Sequence, residues 1–249
     1  MSSMPFYTQV AVINQSTIVT DIEGANMISA LNSLLPMFCS SWSIASVNTV
    51  YVAKGSITVP KTAYQVYLLD TTDLSGALAY HSLTYNDVPY AKVFANTVLS
   101  RGGVIMYEPT LLLSTVAQTL SHEVFELLID PRCNIWWMNS NTGELFAGEV
   151  VDPVQNNVVV VNLSSGVKVG MSDWILPGWQ DTLNTDGPFN YLNTLTAPFE
   201  VKNGYAMIIK NNNISFIYGD KGKSMTNSHS QISSRMVRRL SSVAKMSSN

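Results

Sequence analysis

The chain has 249 residues, of which 46% are hydrophobic and only 12% charged, with a formal net charge of −3. That length and balance suit one α+β domain with a large buried core, and a surface of Ser, Thr and Asn in place of ion pairs fits a protein packed against partners. No stretch approaches the roughly 20 apolar residues of a membrane span, and Cys39 and Cys133 are too few for a disulfide framework and wrongly spaced for a metal knuckle.

Residues 1–10 lack the basic and apolar parts of a secretion signal, so synthesis in the cytoplasm is the expectation. The charge is divided unevenly along the chain. From residue 200 onward eight Lys or Arg face only Glu200 and Asp220, while the preceding residues hold six basic against fifteen acidic side chains. An acidic body with a basic tail is the result.

In chain order, residues 9–14 (QVAVIN) are β-branched and apolar and predict a buried strand. Thr20-Asp21 offers an N-cap for a helix over residues 22–38. Residues 48–53 and 63–69 predict two further strands, and residues 77–83 and 90–95 two short ones separated by the turn residues Asn86-Asp87-Val88-Pro89. From Glu108-Pro109 to Asp130 the pattern is helical, with an apolar stripe through Leu112, Val116, Leu120, Val124 and Leu127/Leu128 that Pro131 terminates.

Beyond Pro131, residues 135–138 and 144–151 predict a hairpin, followed by strands at 157–161 and 167–170. An irregular aromatic stretch runs from Trp174 to Phe199, and a last hairpin spans 205–210 and 214–218. The division expected is residues 1–131 as an N-terminal subdomain, 132–220 as a β-rich, irregular C-terminal subdomain, and 221–249 as a basic Ser-rich tail. In that tail Ile232, Met236, Leu240 and Val243 recur at helical spacing, which suits either an amphipathic helix that forms on docking to a virion component, another protein or nucleic acid, or, by its composition, a disordered solubilising tail.

The chemistry concentrates in Ser121-His122-Glu123-Val124-Phe125-Glu126. An imidazole and a carboxylate at i and i+4 project from one helix face and can close on one divalent cation, which is the logic of His-Glu-x-x-His. His122 and Glu126 are then metal ligands, and Glu123 is the general base that takes a proton from water. Between Leu111 and Ile129 these three are the only ionisable side chains of an otherwise apolar or small-residue helix, and a buried charge cluster needs a partner such as a metal. A third ligand must come from elsewhere: Glu149 is the first choice, with Asp152 and Asp130 as rivals. Zinc is the expected ion, although two carboxylates beside one imidazole also admit Mn²⁺ or Ca²⁺ and acidify a water less than imidazoles would.

The order strand, helix, strands, edge strand and long helix ending in the motif is similar to the N-terminal subdomain of zincins, and Ala77-Leu78-Ala79-Tyr80-His81 falls where their substrate-pairing edge strand runs. The segments Ser121 to Pro131, Glu149-Val150-Val151-Asp152-Pro153 and Ser172-Asp173-Trp174-Ile175-Leu176-Pro177-Gly178-Trp179 together resemble a group of uncharacterised phage and viral proteins with a zincin-like core, over about residues 9 to 218. The resemblance implies a mixed sheet plus two long helices and a metal site. Glu126 departs from the histidine of the His-Glu-x-x-His peptidases.

Other candidates have plainer readings. His81 could bind substrate or donate a proton but is expected to make an ordinary strand-end hydrogen bond, Asp70 and Asp73 to cap a turn and not form a Ca²⁺ loop, and Trp136, Trp137, Trp174 and Trp179 to pack a core and not line a ligand cleft. Neither a glycine-rich phosphate loop nor a nucleophile elbow is present. Two functions follow from the sequence. One is a metal-dependent hydrolase, most simply a peptidase acting on a peptide or protein laid along residues 77–83. The other is a virion component that keeps the scaffold and a vestigial or structural metal site.

Overall fold

The computed structural model describes residues 6–110 and 114–219, and the expected tail helix lies outside the described residues. The fold is α+β. Strand β1 (Gln9–Asn14) has the bounds its β-branched run predicts, and helix α1 (Asp21–Ser41) follows. Thr20 caps α1 by accepting from Glu23 N at 3.2 Å, while Thr20 N donates to the Glu23 carboxylate at 2.8 Å, which closes a reciprocal capping box.

Strands β2 (Asn48–Val52), β3 (Tyr64–Leu69), β4 (Ala79–Leu83) and β5 (Pro89–Phe94) complete a five-stranded sheet in the order β2-β1-β3-β5-β4. The sheet is mixed: β2, β1, β3 and β5 pair in parallel, and β4 pairs antiparallel with β5 at the sheet edge. The turn predicted at 86–89 makes this last pairing possible, with Thr84 N bonded to Val88 O at 2.9 Å and Asp87 in the left-handed region at φ 59°.

Helix α2 (Ala95–Ser100) starts directly after β5, where the sequence suggests only the end of a strand. Helix α3 (Val116–Ile129) is shorter than the predicted 108–130. Its start is fixed by Thr115, whose hydroxyl accepts from Gln118 N at 2.9 Å, and by Val116 N and Ala117 N, which donate to the carbonyls of Val104 and Ile105. The first turn of α3 is therefore docked on the segment leading into it.

The period of two along β1 sorts its side chains between the two faces of the sheet. Val10 and Val12 join the main core with α1 and α3, whereas Ala11 and Ile13 join a small cluster with Val52 and Ala63. Phe38 of α1 stacks on Phe125 of α3 with ring centroids 4.4 Å apart, and Trp174 meets both rings, at 5.6 and 5.0 Å.

The second half is β-rich, as expected. Strands β6 (Trp136–Met138) and β7 (Leu145–Ala147) form the first predicted hairpin, β8 (Val158–Asn162) and β9 (Lys168–Ser172) pair as a two-stranded ribbon, and β10 (Tyr205–Lys210) and β11 (Asn213–Tyr218) form the last hairpin. Strands β11, β10, β7 and β6 make an antiparallel sheet. The aromatic stretch lacks regular strands, with a 3-10 turn at Pro177–Gln180. Its Trp174 and Trp179 belong to the same continuous core as α1, α3, Phe146 and Ile208, which agrees with the packing role expected of them. No described helix is long and apolar enough to cross a membrane.

Candidate metal centre

Helix α3 carries His122, Glu123 and Glu126, and its neighbours on three sides supply the rest of a buried polar cluster. Strand β4 points alternate residues inward, and His81, on that inward phase with Ala79 and Leu83, is wholly buried. After β7 the chain runs through the buried segment 148–151 into a 3-10 turn at Asp152–Val154, bringing Glu149 and Asp152 under the helix. Glu123, Glu126, Glu149 and Asp152 are all buried, and His122 is 15% exposed at its side chain, which places it at the mouth of the cluster.

Specific contacts hold the 3-10 turn in place. Gln118, one turn ahead of His122, donates from Nε2 to Gln155 O at 2.8 Å and to Asn157 O at 3.1 Å. Ser172 of β9 donates from N to Ser121 Oγ at 2.8 Å and from Oγ to Gln118 O at 2.9 Å. On its other side the turn meets Gly204, where a Cβ would stand 1.9 Å from Asp152 O, so only glycine allows β10 to approach so closely.

Two donor sets result. His122 Nε2 lies 3.2 Å from Glu126 Oε2 and 3.3 Å from Asp152 Oδ1. His81 Nδ1 lies 3.2 Å from Glu123 Oε2 and 3.6 Å from Glu126 Oε2, while His81 Nε2 lies 3.8 Å from Glu149 Oε2. The ligand atoms of His122, Glu126 and Asp152 lie within 4.8 Å of one another, as do those of His81, Glu123 and Glu126. No protein family, curated protein or solved structure matches this chain. The geometry of these six side chains is what speaks to function.

His122 and Glu126 come together as the i, i+4 spacing predicts. The carboxylate against His122 is that of Asp152, one of the two rivals. Glu149, the first choice for third ligand, lies in the same cluster but approaches His81. Asp130 is elsewhere: its carboxylate accepts from Asn134 N at 2.9 Å and Ile135 N at 3.0 Å and so fixes the loop that follows α3. The residue that sequence reasoning undervalued is His81. The signal was available in its phase, since on an edge strand it shares the inward face with Ala79 and Leu83.

Burial and mutual repulsion set the charge state of the cluster. Burial, then Glu149, push Glu126 up to about 8, with Asp152 adding to the rise and His122 opposing it. Burial pulls both imidazoles down, but Glu126, Asp152 and Glu123 around His122 outweigh it, as do Cys133, Glu149 and Glu123 around His81, and both stand well above the ordinary histidine value. Four carboxylates around two imidazoles is a donor set suited to a divalent cation. The spacings fit too: ligand atoms about 2.0–2.1 Å from a tetrahedral zinc stand roughly 3.3–3.4 Å apart, against 3.2 and 3.3 Å here.

His122 and Glu123 also face solvent-accessible space. With Gln118, Thr119, Leu78 and Ala79 they line a cleft of about 40 Å³ beside the approach to β4. At roughly 10–15 Å³ per water, that interior admits a few waters and a small reacting group. A longer ligand must lie along the surface next to the strand.

Proposed function

We propose that this chain is a metal-dependent hydrolase with a zincin-like core, most simply a metallopeptidase. The observation that carries the reading is the position of His122 and Glu123 in the cleft beside the antiparallel edge strand β4, with Glu126 and Asp152 closing on His122 from the buried side. His122, Glu126 and Asp152 are the residues that hold the ion, zinc by the spacing and Mn²⁺ by the oxygen-rich donor set.

When bound, the ion polarises a carbonyl group and acidifies water. The chain's own residues do the rest. An extended peptide adds to the outer edge of β4, with Leu78 and Ala79 setting its depth over the cleft. Glu123 accepts a proton from a water in the cleft as the oxygen attacks the scissile carbonyl carbon, and returns that proton to the amine nitrogen as the C–N bond breaks. His81 Nδ1, 3.2 Å from Glu123 Oε2, fixes the orientation of the carboxylate.

Elemental analysis of the purified chain is the test of the site, with His122→Ala expected to lose the ion. Glu123→Gln is expected to keep the ion and lose hydrolysis of unfolded protein substrates. Absence of any bound metal would sink the whole reading. Metal bound by the wild type without hydrolysis would instead favour the scaffold with a structural ion.

A further inference from the structure

Glu126 is shared between two donor sets that come from opposite sides. Its Oε2 stands 3.2 Å from His122 Nε2 and 3.6 Å from His81 Nδ1. Beyond His122 is Asp152, and beyond His81 is Glu123, whose Oε2 is 3.2 Å from the same Nδ1. These separations on the His81 side bracket the 3.3–3.4 Å or so expected between two ligands of one small divalent ion.

A cluster of acids alone would not make a second site, but His81 adds an independent sign. It is 0% exposed, and its Nε2 makes no hydrogen bond even though Glu149 Oε2 stands 3.8 Å away. A fully buried imidazole nitrogen without a hydrogen bond is costly. That arrangement becomes orderly once Nδ1 is a ligand. The remaining proton is then on Nε2, directed at Glu149, and a carboxylate on the outer nitrogen of a metal-bound histidine is the usual way to fix its tautomer and ring orientation.

We propose that the cluster holds two divalent cations bridged by Glu126, the second bound by His81 Nδ1, Glu123 Oε2 and Glu126, with Glu149 as the outer partner of His81. The proposal rests on the reading that His122, Glu126 and Asp152 hold the first ion. In this arrangement Glu123 meets the ion through Oε2, the oxygen 3.2 Å from His81 Nδ1, and takes the proton through Oε1. Two ions sharing a carboxylate lie about 3.5–4 Å apart, the spacing of sites that clamp both the attacking and the leaving group of a hydrolytic reaction.

The test is a titration of the full, metal-depleted chain with Mn²⁺ alone, read by equilibrium dialysis and by electron paramagnetic resonance. Wild type is expected to bind two equivalents and to give an exchange-coupled spectrum. His81→Gln and Asp152→Asn are each expected to bind one equivalent and to give the spectrum of an isolated ion. One equivalent in wild type, retained by His81→Gln and lost by Asp152→Asn, would overturn the second site and leave the first standing. No bound Mn²⁺ would remove both, and two equivalents without spectral coupling would place the second ion elsewhere and overturn the bridge. If His81→Gln fails to fold, the stoichiometry and coupling of the wild type decide alone.

Discussion

Asp152 Oδ1 stands 3.3 Å from His122 Nε2, so a carboxylate delivered by the second half of the chain faces the histidine of α3 in the first half. Asp152→Asn preserves the shape of the turn and removes the charge. We expect it to weaken metal binding by at least about 100-fold in a chelator competition. Asp130→Asn is the matched control, because that carboxylate is engaged by Asn134 N and Ile135 N. It should cost stability and leave metal affinity unchanged. Equal losses of affinity in the two variants would remove Asp152 from the site.

Gly204 permits the approach of β10 to Asp152, and an added methyl group would meet Asp152 O and the carbonyl carbon of Pro153 rather than a side chain that could swing away. Gly204→Ala should therefore destabilise the fold by about 1–3 kcal/mol and lower metal affinity along with it. Urea denaturation and the same competition assay measure the two effects. A stable variant with unaltered affinity would show that the 3-10 turn is not held by β10.

The side-chain amide of Gln118 ties α3 to the stretch after the 3-10 turn. Gln118→Ala leaves the carbonyls of Gln155 and Asn157 without that donor, at a cost of about 1–3 kcal/mol. Because those carbonyls belong to the stretch that follows Asp152, metal affinity should fall by less than in Asp152→Asn but measurably. Gln118→Glu offers oxygens where the carbonyls need a donor and should be worse than Ala.

The metal-free chain should lose stability as pH rises. Burial first, then Glu149 and Asp152, raise Glu126 from 4.5 to about 8. Across that window the folded state retains a proton that the unfolded state has released, so ionisation opposes folding by on the order of a few kcal/mol. His81 and His122 act in the same sense: held well above 6.5 by their acidic neighbours against the pull of burial, their protons stabilise the fold below that value, and the contribution is lost as pH passes their folded pKa. Denaturation in chelator at acid and at mildly alkaline pH measures the slope, and Glu126→Gln should flatten it. A metal-free chain that gains stability with pH would contradict this account of the cluster.

Local signals carried much of the fold. The β-branched run at 9–14, the cap at Thr20 and the turn at 86–89 all act over a few residues, and each element forms where those residues say. The start of α3 was less legible, because it depends on Val116 N and Ala117 N docking on Val104 and Ile105, a contact that periodicity does not encode. Within the site, His122 and Glu126 are paired by helix geometry and were visible for that reason. Glu149 and Asp152 lie close together on one returning segment, and which of them meets His122 depends on Gln118 and Gly204 fixing a turn from opposite sides. His81 reaches the cluster across the β4·α3 packing: its strand phase gave the inward direction, but not which helix residues it would meet.

The delivery of acids by residues 149–152 to a helix completed twenty residues earlier sets an order of events during synthesis. A nascent chain that has emerged only through Pro131 contains His81, His122, Glu123 and Glu126 but lacks the carboxylates of Glu149 and Asp152, and the β9 and β10 segments that brace the turn emerge later still. Such a chain holds His122 and Glu126 without Asp152, the third member of their donor set. On the proposed reading, the site around His122 is complete only in a chain that extends past Asp152.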